Sequence, residues 1–316
     1  MKPSGRPHLG NYFGALKQFV DLQEKYESLV FIADFHAMTT VKDPQTLNEA
    51  ILNQAIDYLA IGLDPQKATI FKQSDVPEVT ELAWIFSCLL PVPYLMRAHA
   101  YKDASTKKKD INAGVFNYPI LMAADILIHD SEVVPVGKDQ RQHVEYARDI
   151  ANKFNDAYGE TFKIPQELII ENVETVPGID GQKMSKSYNN TIPLFAEPDE
   201  IKKLVMQIPT DSLGIDEPKN PDESIIYQIH SLILDEPQKE ALRNRFIQGG
   251  LGYKEAKDNL INDLNYFIKP FRERRAELAD NKDEVIEIIK QGGIKAREKA
   301  TTKMTEIRNK VGLNIY

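Results

Sequence analysis

Hydrophobic and polar positions follow two alternating periods through the first half of this chain. Ser28 to Ala33 reads Ser-Leu-Val-Phe-Ile-Ala, a short apolar run that predicts a buried strand. Pro44 to Gly62 then takes helical spacing, opening at Asp43-Pro44 and stopping at a glycine. Ala68 to Lys72 predicts a second strand, followed by a helix from about Pro77 that starts with proline and acidic residues. Glu132 to Val136 predicts a third, leading through Gly137 into a helix over Asp139 to Phe154. Strands alternating with helices of this length predict an α/β fold with a doubly wound parallel sheet. Ligands of such sheets lie at the carboxyl ends of the strands.

Past residue 190 the strand signal disappears. Pro198 to Gln207, Pro221 to Leu234, Pro237 to Gln248, Tyr253 to Leu278 and Lys282 to Lys310 all have helical character, several with Pro or Asp in the first turn. The change predicts an α/β domain over residues 1–190 and a smaller all-helical domain over 191–316, with the last helix free to pack back on the first domain. No internal repeat or low-complexity stretch is present. Only Met1-Lys2-Pro3-Ser4-Gly5 precedes the first helical signal, which is too little for a strand leading into it. The sheet is therefore expected to lack its first strand, either because it does without one or because the start is truncated.

Composition narrows the class. The 316 residues are 42% hydrophobic and 27% charged, and none of the apolar runs approaches the roughly 18 residues of a membrane span. No secretory h-region follows the Gly- and Pro-rich start. A soluble protein with no membrane partner is expected. The single cysteine, Cys88, excludes an intramolecular disulfide and a cysteine-cluster metal site. It lies in the apolar run Ala83 to Leu90 and is predicted to be a core residue in a reducing compartment, the cytoplasm by default. Net charge is -8, yet from Gln238 onward 17 Lys+Arg stand against 12 Asp+Glu. An acidic body with a basic helical tail argues against indiscriminate coating of nucleic acid but leaves room for one RNA-facing surface.

Four segments carry candidate chemistry. Pro7-His8-Leu9-Gly10-Asn11 puts an imidazole and a glycine where the amphipathic helix Asn11 to Glu27 begins, so that a phosphate could approach the backbone and meet helix N-terminal amides. Lys183-Met184-Ser185-Lys186-Ser187, after Gly178 and Gly181, puts two cations and two hydroxyls on a loop suited to a pyrophosphate leaving group. Each alone could equally be a turn or a solvated loop; together they suggest a polyphosphate site. Between them, Val136 to His143 crosses a strand-to-helix junction where Gly137 permits close approach and Asp139 either caps the helix or accepts from a ribose. Tyr118 to Ile126 is an apolar helix on which Leu121, Met122, Asp125 and Ile126 share a face, with Tyr118 one turn earlier. Its buried carboxylate requires a partner, either a neighbouring side chain or the N-H or O-H of an aromatic amino acid.

These four segments resemble the class I aminoacyl-tRNA synthetases, in particular their tyrosyl/tryptophanyl subgroup and its tryptophanyl branch. His8-Leu9-Gly10-Asn11 is similar to the family's HIGH signature, with Asn11 at the fourth position, and Lys183 to Ser187 is a complete KMSKS signature. Asp34-Phe35-His36-Ala37 resembles the segment after the second strand, and the likeness runs over nearly the whole chain. Lys2 departs from the glutamine more usual there. The resemblance implies a Rossmann-like fold of the HUP type and ATP-dependent ligation of L-tryptophan to tRNA(Trp) through a tryptophanyl-adenylate. Tyrosine in place of tryptophan, and a non-catalytic RNA-binding or regulatory relative, are the alternatives.

Carried over residue by residue, it implies that Lys183, Ser185, Lys186, His8 and Asn11 serve catalysis. Lys2, Pro3, Ser4, Gly10, Asn11, Gly137, Lys138, Asp139, Val176 and Lys183 to Ser187, with Met184 shaping the loop, would surround ATP. Asp125 would accept the indole N-H, Met122 and Tyr118 would line the amino-acid pocket, and His36 and Gln140 would lie beside it. Mg2+ would accompany ATP without a dedicated protein metal site. A homodimer is implied, with the helical domain reading the anticodon. Arg272, Arg274 and Arg275 are candidate tRNA contacts by charge alone.

Overall fold

The computed structural model describes residues 2–3, 5–97, 111–137, 141–169 and 176–315. Ser4, Lys138, Asp139 and Gln140 of the candidate site lie outside them. A first helical stretch, α1 (residues 9–22), runs as Leu9–Asn11, a π-helical turn Tyr12–Leu16, and Lys17–Leu22. It starts two residues before the sequence suggests and ends five sooner. Strand β1 (Ser28–Ile32) leads to the short α2 (Asp34–Ala37) and then to α3 (Pro44–Ala60). The start of α3 is set by Asp43, whose carboxylate accepts from Thr46 N at 2.7 Å, and by Pro44 in the first turn.

Strand β2 (Ala68–Lys72) lies parallel to β1, with Ser28 opposite Ala68 and Ile32 opposite Lys72. Ala68 to Phe71 are all buried, as expected of a parallel strand covered on both faces. Helices α4 (Glu78–Ser87), α5 (Val92–Leu95) and α6 (Ala113–Leu127) precede β3 (Val133–Val136). After α7 (Arg141–Tyr158), strand β4 (Gln166–Ile169) pairs parallel with β3. The described strands thus form two parallel pairs, with no hydrogen-bonded ladder between β1 and β3. Among the described residues no strand precedes His8.

The remaining helices are α8 (Pro198–Met206), α9 (Ile225–Ser231), α10 (Glu236–Gln248), α11 (Tyr253–Asp280) and α12 (Lys282–Lys310). Helix α9 is shorter than expected because Ser224 caps it, accepting from Tyr227 N. One apolar core runs from Leu9, Tyr12 and Leu16 through β1, β2 and α3 to α8 to α11 and the start of α12. A second joins α4, α6 and α7 to the later turns of α12.

Helix α12 therefore belongs to both cores, and its approach to β2 is backbone against backbone. A Cβ on Gly292 would sit 1.9 Å from the carbonyl oxygen of Ile70, and one on Gly293 would sit 2.7 Å from the Asp75 side chain. Two glycines in mid-helix cost helix propensity. Here they let the helix lie along β2, whose other side is already paired with β1. Arg297 bonds Glu78 at 2.9 Å, and Arg308 forks onto both oxygens of Glu81 at 2.8 and 2.6 Å.

Cys88 is exposed, correcting its placement in the core. Val79, Leu82, Ile85 and Phe86 take the inward face of α4. Trp84, one turn before Cys88 on the outward side, is 72% exposed. Strand β4 was not expected, because Gln166-Glu167-Leu168-Ile169 is too short and too polar at its start to give a strand signal.

Candidate active site

The two signature segments, 174 residues apart, are in contact. The amide of Gly10 donates to the sulfur of the buried Met184 at 3.3 Å. His8 forms an antiparallel bridge with Pro193, Leu9 N donates to Ile192 O at 3.0 Å, and Leu194 N donates to Pro7 O at 2.9 Å. The chain just after the lysine loop thus straps the histidine segment in place. Asn11 closes the turn, its side-chain oxygen accepting from His8 N at 3.2 Å. Gly10 is required by space: a Cβ would lie 2.9 Å from His8 Nδ1 and 3.3 Å from the Met184 Cβ.

Burial, with Lys186 adding repulsion, drops the His8 pKa to about 4, so the ring is neutral at pH 7. Its buried Nδ1 has no hydrogen-bond partner among the described residues. The Lys186 ammonium lies 3.6 Å from where a Gly5 Cβ would be, so the lysine loop also faces the residues before His8. Partial desolvation lowers its pKa, and Asp57 pulls the other way.

The lysine loop is a hairpin built on one buried side chain. Met184 N donates to Val176 O at 2.9 Å, and Pro177 bridges Lys183. Inside the turn Asn190, 1% exposed, accepts from Ser185 N at 2.8 Å and donates to Asp180 at 2.7 Å and to Lys183 O at 3.2 Å. Gly178 is glycine because a Cβ there would fall 2.2 Å from the Asn190 amide nitrogen. Ser185 caps the 3-10 turn Lys186–Tyr188, its hydroxyl accepting from Ser187 N.

A second cluster forms where β1, β2 and α6 converge. Asp125 is buried, accepting from His36 Nε2 at 3.0 Å and from Gln73 Nε2 at 2.9 and 2.8 Å on its two oxygens. Desolvation raises its pKa, while the donations from His36 and Gln73 oppose that shift. Gln73 Oε1 accepts from the backbone N of His36, so one glutamine braces both the carboxylate and the turn after β1. The same two turns are joined again by Asp34, which accepts from Ser74 N and Ser74 Oγ. Tyr118 sets its ring edge-on to His36 and pairs its hydroxyl with His143 Nε2 at 2.9 Å, beside the half-buried Met122 on α6.

Lys2 reaches toward this cluster, donating to Thr39 Oγ1 at 3.3 Å, while Thr39 in turn donates to His36 O. Pro3 is buried nearby in sequence, and Gly137 follows directly on β3. His36, Gln73 and Gly137 all occupy carboxyl ends of parallel strands, where ligands of such sheets bind. Gln73 and Asn190 had no sequence signal as site residues. Of the tail arginines, Arg272 donates to Ala196 O and Arg275 to Asp57 and Asn53, so both tie α11 to the rest of the fold. Arg274 pairs with Glu277 on the surface.

Residues 1–269 match the family described as tRNA synthetases class I (W and Y). The chain belongs to this family. Among the synthetases similar to it, the tryptophan–tRNA ligase of Fusobacterium nucleatum is 51% identical over 319 residues, covering 100% of this chain and 98% of the relative. That of Rhodopirellula baltica is 46% identical over 313 residues, covering 99% and 98%. The crystal structure of tryptophanyl-tRNA synthetase from Campylobacter jejuni complexed with ADP and tryptophan superposes with a TM-score of 0.92 at 46% identity, covering 99% of this chain and 98% of that one. The class I synthetase fold, with its helical C-terminal region, is therefore this chain's fold.

Proposed function

We propose that the chain ligates L-tryptophan to tRNA(Trp) in two steps. The tryptophan carboxylate oxygen attacks the α-phosphorus of ATP, the bond to the bridging oxygen breaks, and pyrophosphate leaves. A ribose hydroxyl at the tRNA 3′ end then attacks the carbonyl of the tryptophanyl-adenylate, and AMP leaves. No side-chain nucleophile takes part, so catalysis rests on positioning and charge stabilisation. Lys183 and Lys186 meet the charge that grows on pyrophosphate, and the turn of the neutral His8, closed by Asn11, holds Gly10 against Met184 of the lysine loop. Lys2, Pro3, Ser4, Gly137, Lys138, Asp139, Val176, Ser185 and Ser187 complete the ATP surround, with Mg2+ carried on the phosphates.

Asp125 accepts the indole N-H, with Tyr118, Met122, His36 and Gln140 around the amino acid. The observation that carries this reading is the contact of Gly10 with Met184, which joins the two phosphate-binding segments at one place. The braced Asp125, held by His36 and Gln73, supplies the amino-acid acceptor. Residues 1–190 act as the catalytic domain and 191–316 as the anticodon-reading domain, a division of role, since one apolar core crosses it. The enzyme works in the cytoplasm as a homodimer. The exposed Trp84, Val92 and Met96 on and after α4 and α5 favour a partner surface there. Among the described residues no helix is long and apolar enough to cross a membrane. The test is amino-acid-dependent exchange of pyrophosphate into ATP. Tryptophan should support it and tyrosine should not; exchange driven by tyrosine would reverse the substrate assignment.

A further inference from the structure

We propose that Asn190 is the positioning residue that couples the lysine loop to the histidine segment, a role that rests on the adenylate-forming reading above. Its side chain ties three points of the loop: Ser185 N, Lys183 O and Asp180. Its own carbonyl accepts from Ile179 N at 3.0 Å, closing the hairpin base. Two residues later the chain enters the strap, where Ile192 O accepts from Leu9 N and Leu194 N donates to Pro7 O. Asn190 therefore stands between the loop that bears Lys183 and Lys186 and the strand that holds His8 and Gly10. It has no direct path to substrate, being 1% exposed and packed on Gly178. Any effect on the reaction must pass through the backbone it fixes. A buried polar group with all its bonds made holds one geometry, and losing it releases the donors and acceptors it had satisfied.

Asn190→Ala should lower kcat for pyrophosphate exchange about tenfold or more, with KM for tryptophan unchanged, because the lysines act where charge develops. Asn190→Asp, of equal volume, keeps the acceptor for Ser185 N but loses both donations, and it carries the test if the alanine variant does not fold. Combining Asn190→Ala with Lys186→Ala should cost little more than Lys186→Ala alone, since the two act as a unit. Trypsin should cleave after Lys183 and Lys186 faster in the Asn190 variants, with cleavage elsewhere unchanged. Wild-type kcat, or losses that simply add in the double variant, would overturn the coupling. Absence of tryptophan-dependent exchange in the wild-type chain would instead count against the functional reading. The cleavage rates then decide the loop assignment on their own, and rates unchanged from wild type would overturn it.

Discussion

Replacing Gly292 by alanine sets two ordinary expectations against each other. In a helix interior alanine is favoured over glycine by about 1 kcal/mol, so propensity alone predicts a more stable protein. The structure predicts the reverse. The new Cβ would fall 1.9 Å from Ile70 O and 2.8 Å from Ile70 C, and a contact distance of about 3.5 Å requires α12 to retreat by roughly 1.6 Å. The obstacle is strand backbone already paired with β1, which has no rotamer by which to move aside. Retreat loosens Val285, Ile289, Ala296, Ala300, Met304 and Ile307, all buried on the same helix. Overpacking of this kind costs about 1–3 kcal/mol, sometimes more. Because the obstacle is backbone, the upper end of that range applies; with the propensity gain subtracted, a net loss of about 2 kcal/mol is expected, equivalent to a fall in Tm of roughly 3 °C for a chain of 316 residues. Urea denaturation and calorimetry of Gly292→Ala beside Gln291→Ala make the comparison, because Gln291 is exposed one residue earlier. The control should stay within about 0.5 kcal/mol of wild type. A Gly292→Ala protein as stable as wild type, or more so, would show that α12 does not lie on β2 as described.

Four further outcomes follow, three of them from the site. Lys186→Ala should slow tryptophan-dependent pyrophosphate exchange about 10²–10³-fold with KM for tryptophan nearly unchanged; an unaltered rate removes Lys186 from the chemistry. Asp125→Asn turns an amide donor toward Gln73 Nε2, which is itself a donor, and should raise KM for tryptophan about 10–100-fold as a charged acceptor is lost. Because burial raises the Asp125 pKa, wild-type KM should also climb on the acid side at a higher pH than an ordinary aspartate would dictate. A flat KM down to the usual aspartate range would contradict that. Burial also holds His129 neutral, with its pKa lowered from 6.5 to about 4. The unfolded chain takes up a proton below about 6.5 while the native one does not, so stability is lost as pH falls from there toward about 4. Denaturation midpoints of His129→Gln should fall less over that window than those of wild type, and parallel curves would refute the assignment.

Much of the architecture was legible because its signals are local. The runs at Ser28 and Ala68, the Asp43-Pro44 helix start and the helix-only stretch after residue 190 each depend on neighbouring residues. The two signature segments were visible for the same reason, as was the need of Asp125 for a partner. What could not be read was which residues meet across long separations. Gln73 bonds Asp125 52 positions away, and nothing near it in sequence marks it as different from a surface glutamine. Asn190 could be taken for the polar end of a loop, and only the lack of room at Gly178 shows that its amide is packed inside. Cys88 and Trp84 lie in an apolar run whose helical phase puts them outward. Arg272 and Arg275 looked like surface charge until Ala196 and Asp57 came within reach. The polar start of β4 hid a strand whose partner, β3, supplies the apolar character.

The glycine contact between α12 and β2 also sets an order of events during synthesis. Strand β2 is complete by residue 72, but the helix that covers it begins at Lys282, more than two hundred residues later. At about 5–20 residues per second a ribosome needs on the order of 10–40 s to cover that distance. For that interval the nascent chain carries a strand with one open side, the kind of surface on which other chains pair. Substitutions that weaken α12 should therefore reduce the yield of protein leaving the ribosome more than the stability of the protein once folded.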